Sequence, residues 1–237
     1  RFAAIPDRDG ERVGSGGATL EVLKYLHEQE GDFRKLRVLV IHSGGDSKRV
    51  PQYSALGKLF SPVPHQLPDG RSSTLFDEFM ICMSSMPSRI REGMVLLSGD
   101  VLLLFNPLQI DYNNVGAAAI SFKERVEVGK NHGVYVNGED GNVKCCLQKK
   151  SEEELRKAGA LIFSTAMMDS LYSLIGTEEG YDRYVNGTVR LSLYADFLYP
   201  LAEDSTLEQF YLEKPEGEFC EELTEAREQV WKVLRPY

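Results

Sequence analysis

Val38, Leu39, Val40 and Ile41 run apolar without alternation and end in Ser43, Gly44 and Gly45. A strand solvated on one face alternates polar and apolar residues, so an unbroken run predicts a strand covered on both faces, as in a parallel sheet flanked by helices. The adjacent glycines let the main chain turn sharply and bring backbone N–H groups close to an anion, because no Cβ intervenes. Lys48 and Arg49 follow on the same loop, and Lys58 arrives after Pro51 and Gly57 have excluded a simple helix. Two readings are open. The glycines make a tight turn among solvated basic residues, or the loop holds phosphates. A short glycine motif is weak evidence alone, but the preceding strand, the loop length and the later lysine agree on the second reading.

Along the rest of the chain, residues 18–30 predict a helix with Leu20, Val22, Leu23 and Leu26 on its apolar face and Gly31 as its stop. Residues 74–85 carry Leu75, Phe76, Phe79, Met80 and Met83 at helical spacing, and these methionines read as core. Residues 94–98 and 116–122 predict two more strands, the first ending in Gly99-Asp100. Residues 132–136 and 142–147 flank a turn-rich segment and predict a hairpin. Ser151 with Glu154 forms a capping box, 160–163 reads as a strand, and 166–175 and 188–202 read as helices. Alternating strands and helices predict a three-layer α/β domain with a mostly parallel sheet over residues 1–202. Ligands then bind at the carboxyl ends of strands, where Gly44-Gly45 and Gly99-Asp100 both fall. Residues 203–237 are acidic and interrupted by Pro215 and Gly217, and read as a connector or docking segment toward a further C-terminal part.

A formal charge of −9 argues against nucleic acid or an anionic membrane as partner. It also means that phosphates are accepted only where local cations and a metal overcome the global field. Asp100, after a glycine at a strand end, suits Mg²⁺ or else caps a turn. The cluster GSGGAT at 14–19 feeds a helix whose N-terminus favours an anion. Gly16 and Gly17 therefore bind phosphate or base, or merely cap the helix; the Gly-Lys-Ser/Thr ending of a Walker loop is absent. Cys82, Cys145, Cys146 and Cys220 lack CxxC spacing and read as reduced thiols. With no apolar run near 18 residues, a cytoplasmic, membrane-free protein is expected.

The segments DRDGERVGSGGATLEVL at 7–23, HSGGDSKRVPQYSALGKLFSPVP at 42–64, LLSGDVLLLFNP at 96–107 and LYADFLYPLA at 193–202 together resemble the fucose-1-phosphate guanylyltransferase family. The broader pattern, a Gly-Gly-x-x-x-Arg loop followed by a lysine ahead of a proline, is similar to that of sugar-1-phosphate nucleotidyltransferases. The resemblance implies a Rossmann-like sheet of that type and transfer of a guanylyl group from GTP to fucose 1-phosphate, giving GDP-fucose and pyrophosphate. Under it, the backbone of Ser43, Gly44, Gly45, Asp46 and Ser47 cradles the β- and γ-phosphates and Arg49 steadies the departing pyrophosphate. Lys58 reaches the α-phosphate or the incoming phosphate. Asp100 holds Mg²⁺, and Asp196 matches a second carboxylate, or is a surface residue on a helix. His132 and Gly133 match the sugar side, with His132 equally readable as structural, and Lys149 matches a lysine near the substrate phosphate.

A sugar phosphate, with a second pKa of about 6, is already a nucleophile at neutral pH, so in-line attack needs positioning and charge neutralisation more than a base. In some bacteria and plants this activity is fused to an L-fucose kinase. Arg1 opens the chain without a methionine, and the resemblance implies an earlier strand before it and a left-handed β-helix and a kinase domain as partners in the same protein. Two other readings stand beside this one: a sugar kinase fragment, suggested by GSGGAT, and a fragment that binds GTP without turning it over.

Overall fold

The computed structural model of the chain describes residues 1–43, 51–53, 57–102, 105–113, 116–123, 133–148 and 156–237. Its strands are β1 (Arg37–His42), β2 (Pro62–Gln66), β3 (Ser72–Thr74), β4 (Gly93–Ser98), β5 (Ala117–Lys123), β6 (Gly133–Asn137), β7 (Val143–Gln148) and β8 (Arg156–Phe163). Its helices are α1 (Gly14–Glu30), α2 (Leu75–Met83), α3 (Thr165–Ser173), α4 (Glu178–Tyr184), α5 (Leu207–Leu212) and α6 (Glu221–Leu234).

The fold is α/β, and its main sheet is mixed. β1 and β4 pair in parallel, from Arg37 opposite Gly93 to His42 opposite Ser98. β8 is the central strand and runs against its neighbours: β5 follows one side of it, while β4 and then β6 meet the other. β6 and β7 form the expected antiparallel hairpin. The mostly parallel sheet is therefore corrected, since among the described pairings only β1 with β4 is parallel. An unbroken apolar run reports burial on both faces and carries no information on strand direction, which the connections decide.

Burial on both faces is what β4 shows. Met94 and Leu96 enter one apolar cluster with Leu20, Leu23, Met167, Leu171 and Val230, while Val95 and Leu97 enter a second with Phe79, Met83 and Met86. Helices α1, α3 and α6 thus cover one face of the sheet and α2 the other. α2 starts at a capping box in which Thr74 and Asp77 satisfy each other's backbone amides. α1 begins at Gly14, four residues earlier than the apolar spacing suggests, and ends as expected at a left-handed Gly31.

One expectation changes in the C-terminal third. The helix predicted at 188–202 is a series of turns closing in a short 3-10 turn at Tyr199–Leu201, because Arg190 takes a left-handed backbone and the Asp196 carboxylate binds the Ser192 amide instead of leaving it to a helix. The packing also runs across residue 202. Leu223, Ala226, Val230 and Leu234 of α6 lie in the same cluster as the first helix, and the Tyr237 hydroxyl donates to the Ala166 carbonyl. At about 1.5–3 kcal/mol for each fully buried large aliphatic side chain, α6 is an integral part of the core. The Ser151 capping box lies outside the described residues.

Candidate active site

The site begins where the parallel pair ends. His42 and Ser98 are register partners, so Ser43 and Gly99-Asp100 leave the sheet side by side. The Gly99 amide donates to the His42 carbonyl at 2.8 Å, and a Cβ on Gly99 would lie 2.6 Å from that oxygen, so only glycine permits this approach. Gly57 brings the chain back beside Ser43, whose Oγ is 3.0 Å from where a Gly57 Cβ would sit. Lys58 then opens a 3-10 turn anchored by the buried Leu59.

From there the Lys58 ammonium donates to Asp100 Oδ2 at 3.1 Å, and Ser98 Oγ donates to Asp100 Oδ1 at 2.7 Å. Burial works to raise the Asp100 pKa, but these two hydrogen bonds and the Lys58 charge outweigh it and hold the carboxyl below its ordinary value. The pair is open to solvent, with side chains 28% and 47% exposed. Such a pair contributes about 0–1 kcal/mol to stability, so its stabilising effect does not account for a lysine and an aspartate meeting from segments 42 residues apart. It does provide a cation and a hard oxygen ligand within reach of one anion. Among the described residues no group of three His, Cys, Asp or Glu could hold a metal. A divalent ion here would rest on Asp100 together with substrate phosphates and water, the usual arrangement for Mg²⁺.

Behind the β1 exit, Thr19 of α1 donates to the Ser15 carbonyl at 2.9 Å and contacts His42 Nε2 at 3.1 Å. The single Thr19 proton is used on Ser15, so His42 Nε2 carries a hydrogen and donates it to Thr19 Oγ1. Burial lowers the His42 pKa to about 4 and so keeps the ring neutral at pH 7. The glycine cluster serves the same packing. Gly16 and Gly17 are buried, the Gly16 amide donates to the Leu191 carbonyl at 2.7 Å, and Glu216 accepts from the Ser15 amide at 3.0 Å and from its hydroxyl. At this helix N-terminus, where Gly16 and Gly17 are expected to meet nucleotide, a carboxylate of the chain itself already accepts from Ser15.

Asp196, expected as a metal ligand or as a surface residue on a helix, lies in a turn and is not at the surface. It is fully buried, with Oδ1 accepting from Arg227 Nε at 2.8 Å and Oδ2 from the Ser192 amide at 2.6 Å. Burial pushes its pKa up against the pull of Arg227, and the two hydrogen bonds to donors fit the ionised form. Arg227 continues to the carbonyls of Phe210, Tyr211 and Glu213, so it ties α6 both to the Asp196 turn and to the end of α5.

Of the residues expected in the site, Ser43, Lys58 and Asp100 are brought together. Gly133 opens β6 opposite Gln148. Gly44, Gly45, Asp46, Ser47, Arg49, His132 and Lys149 lie outside the described residues. Sequence reasoning missed Ser98, His42, Thr19 and Tyr194. Ser98 was readable as a hydroxyl two residues before the aspartate, whereas the Thr19 contact joins segments that nothing in the sequence pairs. Tyr194 stands inside the motif quoted for Asp196, and burial first and the Asp100 charge second raise its phenol pKa.

Comparison with known proteins supplies the family. A bifunctional fucokinase/GDP-fucose pyrophosphorylase of Arabidopsis thaliana is 30% identical over 194 residues, 67% of this chain and 18% of that protein. A fucose-1-phosphate guanylyltransferase of Mus musculus is 34% identical over 149 residues, 61% of this chain and 25% of its own. An L-fucokinase/L-fucose-1-P guanylyltransferase of Bacteroides fragilis is 34% identical over 65 residues, 24% of this chain and 7% of that protein. The chain thus spans a quarter or less of the length of these curated relatives. The profile described as the fucose pyrophosphorylase domain matches residues 31–237, and the chain belongs to that family.

Proposed function

We propose that this domain transfers a guanylyl group from GTP to fucose 1-phosphate: an acceptor phosphate oxygen bonds to the α-phosphorus of GTP, the bond to the β-phosphate oxygen breaks, and pyrophosphate leaves. The observation that carries this reading is the 3.1 Å meeting of Lys58 with Asp100 at the ends of the parallel strands, in a chain of the fucose pyrophosphorylase domain family. Two anionic substrates at about 4 Å repel by roughly 4 kcal/mol per unit-charge pair at an effective dielectric near 20. Lys58 turns from Asp100 to a phosphate oxygen and offsets that repulsion. Asp100 is the ligand for Mg²⁺, which when bound neutralises phosphate charge and polarises the phosphoryl group. The backbone from Ser43 through Gly44, Gly45, Asp46 and Ser47 and the Arg49 guanidinium take the β- and γ-phosphates, and His132, Gly133 and Lys149 take the sugar phosphate.

The kinase reading has lost its support, because the glycine cluster that suggested it is buried against residue 191. No helix among the described residues is long and apolar enough to cross a membrane. We assign the domain to the cytoplasm, where free thiols such as Cys82 and Cys220 persist. We further propose that it works beside a C-terminal β-helix and, as the names of the bifunctional relatives suggest, a kinase domain of the same protein. The test is pyrophosphate release with Mg²⁺ over four nucleoside triphosphates and several sugar 1-phosphates. GTP with fucose 1-phosphate is expected to be the fastest pair; turnover of another pair in its place would overturn the assignment.

A further inference from the structure

The turn from Leu191 to Asp196 is tied at every step. The Leu191 carbonyl accepts from Gly16, the Leu193 amide donates to Ser15 Oγ at 2.9 Å, and Ala195 and Asp196 both bond back to Ser192. The Asp196 carboxylate closes the turn and is itself held by Arg227. Within residues 191–200 every side chain is buried except that of Tyr194, which is half-buried. Its hydroxyl has no hydrogen-bond partner among the described residues. The constrained turn thus fixes the place of one half-buried aromatic side chain whose hydroxyl no described residue takes up.

The position of the turn says what that is. It packs on the first turn of α1, whose Thr19 holds His42 at the end of β1, one residue before Ser43 and across from Ser98 and Asp100. Burial first, and the Asp100 charge second, raise the phenol pKa, so the hydroxyl keeps its proton and can only donate to an anion.

Resting on the function proposed above, we propose that Tyr194 is a substrate-binding residue whose hydroxyl donates a hydrogen bond to a phosphoryl oxygen of the nucleotide triphosphate held between Lys58 and Asp100. A neutral donor adds a contact to the anion where another carboxylate would repel it, and hydrogen bonds to charged groups are the strong ones.

The test compares wild type with Tyr194→Phe and Tyr194→Leu in calorimetric binding of inorganic triphosphate with Mg²⁺, a probe independent of base and sugar. Tyr194→Phe should bind about ten- to hundredfold more weakly with an unchanged thermal midpoint, and Tyr194→Leu should lose no more than Tyr194→Phe. Equal affinity of Tyr194→Phe and wild type would overturn the contact, as would full binding by Tyr194→Phe with loss only in Tyr194→Leu, which would make the ring the contact. Wild type that fails to bind triphosphate overturns it too. Wild type that binds triphosphate but gives no GDP-fucose would sink the proposed reaction and leave the Tyr194 comparison decisive for its own claim.

Discussion

At the residue scale, the site depends on side chains whose charge states are set by their neighbours. His42 is neutral in the fold, with a pKa of about 4 against an ordinary 6.5. The unfolded chain therefore binds the extra proton first as pH falls, so stability drops through the window from about 6.5 to about 4, by on the order of 3 kcal/mol. Urea unfolding at pH 7 and pH 4.5 should show a flatter pH dependence for His42→Gln than for wild type; equal slopes would mean that His42 is not the titrating group. Asp100 behaves oppositely: held below its ordinary value by Ser98 and Lys58, it stays ionised through pH 5, so an activity loss between pH 7 and 5 belongs to another group. Lys58 and Asp100 were legible as types, a cation after a glycine and a carboxylate at a strand end. Their meeting was not, because the two residues are 42 positions apart in the chain.

At the element scale, two devices position the site, and each makes a test. The first is the start of α1, where a Cβ on Gly16 would lie 2.8 Å from the Leu191 carbonyl oxygen. Alanine is the better helix former by about 1 kcal/mol, yet Gly16→Ala should destabilise by about 1–3 kcal/mol in urea titration, because backbone blocks the added methyl. A stabilised variant would mean that the 191 turn yields easily. The second is the buried pair of Asp196 and Arg227, 0% and 1% exposed. Asp196→Ala strands a guanidinium in the core and should cost about 3–5 kcal/mol, whereas a surface or metal-binding aspartate would cost little in stability. Patterns of apolar residues found most helices and strands, but they misread residues 188–202. The apolar spacing there comes from turns pinned by side chains, and a helix with equal spacing leaves the same trace in sequence.

At the scale of the whole molecule, one sheet holds the proposed site at the ends of its parallel pair, while antiparallel strands and a C-terminal helix complete the body. A chain cut after residue 202 should lose cooperative unfolding, because it removes Leu223, Ala226, Val230 and Leu234 from the main core; a cooperative, native-like circular dichroism melt would contradict that. The α/β class was readable from unbroken apolar strands between amphipathic segments. Strand direction and the place of α6 were not, since both depend on contacts between distant segments. The most direct test of the account is pyrophosphate release from GTP and fucose 1-phosphate by wild type, Lys58→Ala and Asp100→Asn side by side. Each variant should lose at least about a hundredfold in kcat/KM with an unchanged thermal midpoint, whereas either one working within a few-fold of wild type would contradict the phosphate site built on this pair.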